Sequence, residues 1–574
     1  MAKRPGRNLG TGTLVAAELW RRARRRIRCG PLHRWRFTGR TPDRLLLVPS
    51  DLRLADPLLA KEIYYGRFHF SGHVVDTGGL SPFQVKVADI GWVKALHGFR
   101  WLRHLRAAAT DLSSANARAL VVDWIKHCGS AIAGPAWEPG TVAKRIIAWL
   151  QYAAFLLNDA EPGFRRAFLK SLAVQVRYLR AVAGEMPPGK ERLRTRAALA
   201  FVSHALPASA SSLRNAARYL DAELEMQILP DGGHISRNPL TLLEILADLV
   251  PLRQLYTNNA SQPPANLIAS IDRMIPAVRF FRHRDGSLAR FNGMGVTLHE
   301  RVAATLRHDD SLATPLLHAP HSGYDRLDMG ETIVIADTGL PPPSALSGAA
   351  HAGCLSFEMS SGNQCYIVNC GVDNYGPADL RPLARATAAH STVTLNETSQ
   401  ARFVHHRSVQ NIVGAPLTNG PTKVDCKRID QDGMQGFIAS HDAYEKRFGI
   451  RHEREMQLSQ NGTLLDGIER FFGRNGMAIL PGAKDNAAIR FHLHPGVRPE
   501  MGTNGEIYLL GQSGECWVFL SPDISARLEE SVFFASTGGA RRTFQIVLPV
   551  LVSMTPAIRW RFVRETQPHN QPDT

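Results

Sequence analysis

The sequence of 574 residues lacks several features that would assign it to a common class of protein. No apolar run approaches the ~20 residues that a helix needs to cross a bilayer. Cysteine is scarce, with seven residues and no Cys-x-x-Cys pair, which argues against a disulfide scaffold. Walker loops, Gly-x-Gly-x-x-Gly turns after a strand, His-Glu-x-x-His and Gly-x-Ser-x-Gly are all absent. These absences argue against nucleotide-binding enzymes, zinc proteases and serine hydrolases.

The amino-terminal segment does not have the order of a secretory signal. Leu14–Trp20 is a short apolar stretch, and the basic cluster Arg21–Arg26 follows it, whereas a signal has its charges first and a longer apolar core. With no membrane-spanning run either, the sequence predicts a cytoplasmic protein or one peripheral to the cell envelope. A periplasmic location is the alternative.

The charge balance favours anionic partners. The formal net charge is +17 and the sequence pI is near 9.8, which suits acidic glycans, nucleic acid or an anionic membrane surface. The basic amino terminus has two interpretations: a solvated basic helix, or a short amphipathic segment resting on anionic lipid. Nucleic acid is not expected, because no finger, RNP-like strand or recognition-helix pattern is present.

The segment from about residue 85 to 310 has the periodicity of helices. Five stretches place apolar residues at three- and four-residue steps, and Pro, Gly, Asn and Ser separate them. They are Thr141–Leu157, Arg165–Ala183, Ala216–Leu229, Leu240–Tyr256 and Leu267–Arg282. The pattern predicts antiparallel helical hairpins in a bundle or an α/α toroid. Since no period of 20–50 residues stands out, a closed array is favoured over an open solenoid.

The character of the chain changes near residue 320. Short β-branched runs separated by turn residues then predict an antiparallel sandwich. They are Thr332–Ala336, Cys365–Val368, Thr392–Leu395, Glu506–Leu510, Cys516–Phe519 and Thr543–Leu551. The predicted organisation is therefore a basic arm and lead-in segment at 1–85, a helical domain at 86–318, and a β-sandwich domain at 319–574.

One polar loop interrupts the helical half. Leu229–Pro239 joins two predicted helices and gathers His234, Arg237 and Asn238 within five residues. Binding and catalytic groups concentrate on loops of this kind, which favours a functional site. A capping role is equally compatible with the residues, with Asn238 as the N-cap and His234 as a hydrogen-bonded loop residue.

Histidines stand out in the β half. His390 follows a small-residue loop at the start of a strong strand, where a lone histidine is more often structural. Further histidines could converge with it on a metal ion, because neutral imidazole is a common zinc ligand. They are His405, His406, His441, His492 and His494. Their spacing is long-range and fits no local zinc signature.

Three short stretches resemble the heparinase II/III family of polysaccharide lyases over roughly residues 140 to 500. Asp231–His234 resembles the family's D-G-x-H turn, Ala389–Val393 its A-H-N-T-V segment, and His441–Tyr444 its H-D-G-Y segment. The resemblance implies an incomplete α/α toroid followed by an antiparallel β-sandwich, with an active site in the cleft between them. It also implies β-elimination on uronate-containing polysaccharides.

That chemistry assigns roles to the residues by resemblance. The C5 carboxylate must be neutralised, a base must remove the C5 proton, and an acid must protonate the leaving O4. His234 is then implied as a neutraliser or base with Asn238 as a neighbouring donor, and His390 as a catalytic group or a metal ligand. If His390 is a metal ligand, His441 is implied as the second ligand, and His405 or His406 as the residue that completes a structural zinc site. The implied partner is an acidic polysaccharide.

The sequence departs from the family's pattern at two places. Arg237 stands where members often carry an acidic residue, and Asp285–Gly295, where the catalytic tyrosine is expected, contains none. The predicted catalytic residues are therefore His234, Asn238, His390, Asn292 and Tyr324, and the predicted substrate-binding residues are Arg237, Arg290 and Tyr375. The alternative is a non-catalytic glycan-binding or envelope-assembly protein that kept the fold, with Arg237 holding an anion through two hydrogen bonds.

Overall fold

The computed structural model describes residues 10–30, 35–307, 315–374, 376–377, 379–479 and 484–565. The chain divides into two compact units, neither of which is continuous in sequence. The first comprises Met1–Gly232, Thr241–Ile275 and Glu300–Leu312, and the second comprises Gly233–Leu240, Pro276–His299 and Ala313–Thr574. The domain boundary at 318/319 stays a prediction.

The first unit is built mainly from helices. Its helical elements, three of which include residues of the second unit, are α1 (Thr11–Cys29), α2 (Pro57–Tyr64), α3 (Ile90–His97), α4 (Leu102–Ala108), α5 (Asp111–Cys128), α6 (Pro139–Gln151), α7 (Ala153–Leu157), α8 (Pro162–Val182), α9 (Lys190–Ala205), α10 (Ala210–Gln227), α11 (Pro239–Asn258), α12 (Ala265–Phe280) and α13 (His299–Leu306). A hairpin of β1 (Arg67–Phe70) and β2 (His73–Asp76) accompanies them. Among the described residues, no helix combines the length and apolarity required to cross a membrane.

The core of the first unit surrounds α6. The guanidinium of Arg145 on this helix is fully buried and lies 4.0 Å from the ring centre of Trp124. It donates hydrogen bonds to Gln175 of α8 and to the carbonyls of His97 and Ala136, all between 2.8 and 2.9 Å. Because its partners come from several elements, this one buried cation ties α6 to its neighbours at the cost of desolvation.

The helix α1 packs against the end of α8 through one side. Leu14 and Cys29 are buried, while Arg24 and Arg28 form ion pairs with Glu185, which follows α8. The opposite side of α1 faces solvent. A helix anchored in this way is fixed to the first unit and keeps one full face exposed.

The second unit consists mainly of antiparallel strands. Its strands are β3 (His318–Ala319), β4 (Tyr324–Met329), β5 (Thr332–Asp337), β6 (Phe357–Ser361), β7 (Gln364–Val368), β8 (Val393–Leu395), β9 (Arg402–Phe403), β10 (Leu417–Asn419), β11 (Val424–Gln431), β12 (Met434–His441), β13 (Arg451–Leu458), β14 (Leu464–Phe472), β15 (Asn486–Leu493), β16 (Arg498–Met501), β17 (Ile507–Leu510), β18 (Cys516–Leu520), β19 (Arg527–Phe533), β20 (Arg541–Leu551) and β21 (Ala557–Arg564). Short helices α14 (Leu380–Arg385), α15 (Arg407–Val413) and α16 (Glu445–Phe448) lie between them.

Two large sheets organise these strands. The eight-stranded sheet has the order β11-β12-β13-β14-β21-β18-β17-β16, and the other has the order β19-β20-β15-β7-β6-β5-β4-β3, with β8 also paired to β15. Burial alternates residue by residue along β13 and β14, as expected for strands with one face toward the core. Side chains from both sheets form one hydrophobic core that includes Phe357, Phe491 and Trp560.

The predicted order, helices followed by antiparallel strands, is confirmed. Closure of the helices into a toroid stays a prediction. The sequence analysis missed α9, because this helix is buried on nearly all sides and lacks a clear amphipathic period. It also missed α2 and the β1–β2 hairpin in the lead-in segment, where the strands are only four residues long.

A glycine in β14 tests the packing of the core. A Cβ on Gly467 would lie 2.1 Å from Cζ2 of the buried Trp560 ring on the paired strand β21. We expect Gly467→Ala to lower the free energy of unfolding by about 1–3 kcal/mol, since the ring has no room to retreat. Urea unfolding followed by tryptophan fluorescence measures this. Gly538→Ala is the control, because nothing lies within 4 Å of a Cβ there; equal losses in both variants would contradict the packing argument.

Candidate functional site

The predicted site residues of the polar loop, segment 233–240, belong to the second unit, and Arg237 is its most connected side chain. Its backbone has a positive φ of 57°, which is uncommon for a residue other than glycine. Nε donates to the carbonyl of Ser322 at 2.6 Å, and Nη1 donates to those of Gly339 and Leu340 at 3.2 and 2.9 Å. Nη2 donates to the carbonyl of Gly323 at 2.7 Å and to Asp337 at 2.6 Å.

These bonds use every N–H of the guanidinium, which has five donors in total. The group also lies 4.5 Å from the ring centre of Tyr324. Burial alone would lower the pKa of Arg237, but the Asp337 carboxylate holds that pKa above its ordinary value, whereas burial raises the pKa of Asp337. All five donors of Arg237 are therefore engaged within the second unit, and its predicted substrate-binding role stays a prediction.

Tyr324 and Asn292 extend the same network. The Tyr324 hydroxyl donates to the carbonyl of Arg237 at 2.7 Å and accepts from Nδ2 of Asn292 at 2.8 Å. Oδ1 of Asn292 accepts the backbone N–H of His351 at 3.1 Å. Burial raises the pKa of Tyr324, so its phenol stays protonated. Both predicted catalytic side chains are thus buried with their polar atoms paired inside the protein, and their catalytic roles stay predictions.

His234 and Asn238 make local hydrogen bonds of the capping kind. Oδ1 of Asn238 accepts the backbone N–H of Leu240 at 2.8 Å in the first turn of α11. Nδ1 of His234 accepts the backbone N–H of Ser236 at 3.1 Å, which places the proton of the neutral ring on Nε2. Their catalytic roles stay predictions. Gly293, with a φ of 92°, lets the chain next to Asn292 pass close to the Asn238 amide.

His390 pairs with His351, a residue that the sequence analysis did not single out. Nδ1 of His390 donates to the carbonyl of Ala386 at 2.7 Å, so Nε2 of the neutral ring is an acceptor. That nitrogen lies 2.9 Å from Nδ1 of His351, which must then be the donor. Burial lowers the pKa of His390 to about 4, consistent with a neutral ring. The tautomers are therefore fixed, and Nε2 of His351 carries a lone pair.

A small cavity lies beside His351. His351, Gln400, Cys354, Asp337 and Arg237 are among the residues that line it, and its volume is about 10 Å³. Nε2 of Gln400 donates to the carbonyl of Cys354 at 3.1 Å, and in the described chain neither Oε1 of Gln400 nor Nε2 of His351 has a hydrogen-bond partner. The space suits about one water molecule, which could donate to Oε1 of Gln400 and Nε2 of His351.

Arg290 belongs to a second buried cluster. Its Nη1 lies 3.1 Å from Oε2 of Glu358, and Nε2 of His283 lies 3.2 Å from the same oxygen. Burial alone would raise the pKa of Glu358, but Arg290 and then His283 hold it below its ordinary value. Because its charge is neutralised inside the unit, Arg290 resembles Arg237 in being a framework cation, and its predicted substrate-binding role finds no support here.

The predicted zinc ligands do not assemble. His406 is exposed at the start of α15, whereas His390 and His441 are buried. His441 accepts the Ala443 N–H through Nδ1 at 3.1 Å, and its Nε2 lies 3.3 Å from Nδ1 of His452. Within the described ranges, no group of three or more His, Cys, Asp or Glu side chains could hold a metal ion. The trio therefore does not fit zinc, and we assign no step to a metal.

The remaining predicted residue, Tyr375, lies outside the described residues. The sequence analysis missed His351, Asp337 and Gln400, which complete the network around Arg237 and His390. His351 had a usable signal, because it lies in a stretch of small residues at 348–353 much like the one before His390. Asp337 and Gln400 had none, since a strand-end aspartate and a loop glutamine are ordinary surface residues.

Comparisons with known proteins find a family model and a full-length relative. A family model described as heparinase II/III-like, C-terminal, matches residues 312–561. FtsZ-localized protein C of Caulobacter vibrioides (strain NA1000 / CB15N) is 30% identical over 549 residues, which cover 93% of this chain and 92% of that protein.

Solved structures share the fold at low identity. A heparinase III structure matches with a TM-score of 0.69 and 15% identity, covering 97% of this chain and 91% of that one. Heparan sulfate lyase HepC from Pedobacter heparinus, in a mutant form, matches with a TM-score of 0.61 and 15% identity, covering 98% and 91%. These two likenesses concern the fold alone.

The guanidinium of Arg237 can be tested as a framework element. Arg237→Lys keeps the charge beside Asp337 but cannot reach five acceptors, so buried carbonyls lose their partners. We expect the second unit to lose about 2–4 kcal/mol of its free energy of unfolding in urea. Arg402→Lys, at an exposed position of the same unit, is the control and should change little. An unaltered unfolding midpoint for Arg237→Lys would show that the bonds contribute no stability.

Proposed function

The chain belongs to the heparinase II/III-like family, and we propose that it uses the fold of these lyases without their elimination chemistry, as a protein that associates with FtsZ at the cell envelope. One observation carries the proposal. The polar groups of three residues predicted to face a substrate, Arg237, Tyr324 and Asn292, are all bonded within the protein.

The chemistry explains why this matters. Elimination requires a donor for the C5 carboxylate, a base for the C5 proton and an acid for the leaving oxygen, each within hydrogen-bond reach of the sugar. Tyr324 donates to a backbone carbonyl instead, and Asn292 bonds Tyr324 and the His351 backbone. The small cavity beside His351 has room for a water and not for a sugar ring.

The relative FtsZ-localized protein C supports the second half of the proposal. It aligns with 93% of this chain, so both compact units are represented in it. Its name places it with FtsZ, and we propose the same association for this chain. A lyase for acidic glycans is the second candidate, which the heparan sulfate lyase fold and the net charge of +17 favour.

Binding and turnover separate these two functions. We expect the purified chain to bind purified FtsZ and to leave heparan sulfate and other uronate polymers uncut. Ultraviolet absorbance of the unsaturated uronate measures elimination, and surface-immobilised FtsZ measures binding. Turnover that disappears in His390→Ala would overturn the non-catalytic proposal, and absence of FtsZ binding would reject the association.

We also propose that α1 attaches the chain to anionic membrane. Its solvent-facing side carries Ala16, Leu19, Trp20, Ala23 and Ile27, at the three- and four-residue steps of one helical face. Leu19, Trp20 and Ile27 are 47%, 68% and 66% exposed. Six arginines between positions 21 and 28 occupy the rest of the surface of the helix. An apolar face bordered by arginines suits the interface of an anionic bilayer.

Vesicle binding tests the face. Trp20→Glu/Ile27→Glu should weaken binding to phosphatidylcholine vesicles containing phosphatidylglycerol by about tenfold or more, because apolar burial is lost and negative charge is added. Leu112→Glu/Val122→Glu on α5 is the matched control, since both residues are exposed and the charge change is equal. Co-sedimentation measures the effect. Equal loss in both variants would mean that net charge alone governs binding.

A further inference from the structure

A groove in the first unit combines an apolar floor with a basic rim. Val176 of α8 and Val202 and Leu206 at the end of α9 contribute to its floor. Arg40, Arg177 and Arg180 lie around it, and its volume is about 360 Å³. This volume falls in the range of small-molecule sites.

The three guanidinium groups lack carboxylate partners. In the described part of the chain, none of them forms an ion pair. Arg177 donates to the carbonyl of Phe37 at 3.1 Å and to that of Arg40, and Arg180 donates to Oγ of Ser212 at 3.2 Å. Asp43 also lines the groove, as its one acidic residue. The groove therefore carries a surplus of positive charge.

Electrostatics favour an anion in this groove. Burial and the neighbouring charge of Arg177 lower the pKa of Arg180, which indicates two cations held close without compensation. The carbonyls of Phe37 and Arg40 hold Arg177 in place, and a Cβ added at Gly39 would lie 3.3 Å from Nη2 of Arg177. An anion entering the groove would find these cations already oriented, and guanidinium groups bind phosphate well.

The surroundings distinguish a lipid from a free anion or an acidic protein segment. The groove adjoins the end of α1, because Arg28 donates to the carbonyl of Ala181, the residue after Arg180. Trp35, shortly before Arg40 in sequence, is 67% exposed, as aromatic side chains at membrane interfaces are. A free phosphate would make no use of the apolar floor, whereas the glycerol and upper acyl carbons of a lipid would cover it.

We propose that this groove binds the headgroup of an anionic phospholipid, with the phosphate among Arg40, Arg177 and Arg180 and the upper acyl chain over Val176 and Leu206. The inference rests on the proposed attachment of α1 to membrane and adds to it a specific lipid site. α1 would supply general adhesion to the bilayer surface, and the groove would hold one lipid molecule.

A short-chain lipid tests the groove separately from α1. Dihexanoyl phosphatidylglycerol, used below its micelle concentration, should bind the full chain with a stoichiometry of one by calorimetry. Arg40→Gln/Arg180→Gln should weaken this binding by about tenfold or more, because two charge-assisted contacts are lost. These variants leave the backbone carbonyls that hold Arg177 in place. Arg166→Gln/Lys170→Gln, exposed on the same helix α8 and with the same charge change, should bind normally.

The outcomes distinguish the two proposals. Trp20→Glu/Ile27→Glu should bind vesicles more weakly and bind the short-chain lipid normally, whereas Arg40→Gln/Arg180→Gln should bind the short-chain lipid more weakly. If wild type binds the short-chain lipid and not vesicles, the membrane attachment fails and the groove stands. The groove proposal is overturned if Arg40→Gln/Arg180→Gln binds the short-chain lipid as well as the control Arg166→Gln/Lys170→Gln does. Saturation of the wild type at several lipid sites would overturn it too. If Arg40→Gln/Arg180→Gln loses FtsZ binding while its lipid binding is unchanged, the occupant of the groove is an acidic protein segment instead.

Discussion

A single buried guanidinium, that of Arg237, fixes the polar loop 233–240 in the second unit. It gathers four carbonyls and one carboxylate from segments that lie 85 to 103 residues further along the chain. Its backbone adopts a left-handed conformation that costs roughly 1–2 kcal/mol for a residue with a side chain. Five hydrogen bonds donated by the buried guanidinium offset that strain. Asp337 and Tyr324 bond directly to Arg237, and Asn292 bonds to Tyr324.

This constraint bears on the proposal that the chain uses the fold without elimination chemistry. A fold fixes which elements come together, but activity depends on which polar atoms remain open to a ligand. In the second unit, Arg237, Tyr324 and Asn292 direct their polar atoms to one another and to the backbone, while His351 and Gln400 each keep one acceptor without a partner in the described chain. The first unit has a different character, because α1 keeps apolar side chains and arginines exposed and the groove beside α8 is lined by arginines without carboxylate partners in the described chain. Recognition of anionic surfaces is therefore better supported than chemistry on an anionic polymer.

The sequence predicted the architecture well because periodicity is a local property. Helical spacing in Leu240–Tyr256 and β-branched runs such as Thr332–Ala336 are visible without knowing any contact. It also located both buried polar stretches, around His234 and His390. The sequence could not predict the hydrogen-bond partners of these side chains. The acceptors of Arg237 are backbone carbonyls of Ser322, Gly323, Gly339 and Leu340, and a carbonyl leaves no mark in a sequence.

The cavity beside His351 has a consequence for selectivity. Two lone pairs, those of His351 and Gln400, and the Asp337 carboxylate share one small space, and the Arg237 protons near it are all engaged. Such a lining suits a neutral group that offers two protons, because Arg237 lies 2.6 Å from Asp337 and offsets its charge. The cavity beside His351 therefore favours a group that donates two hydrogen bonds, such as water, over a group that can only accept them.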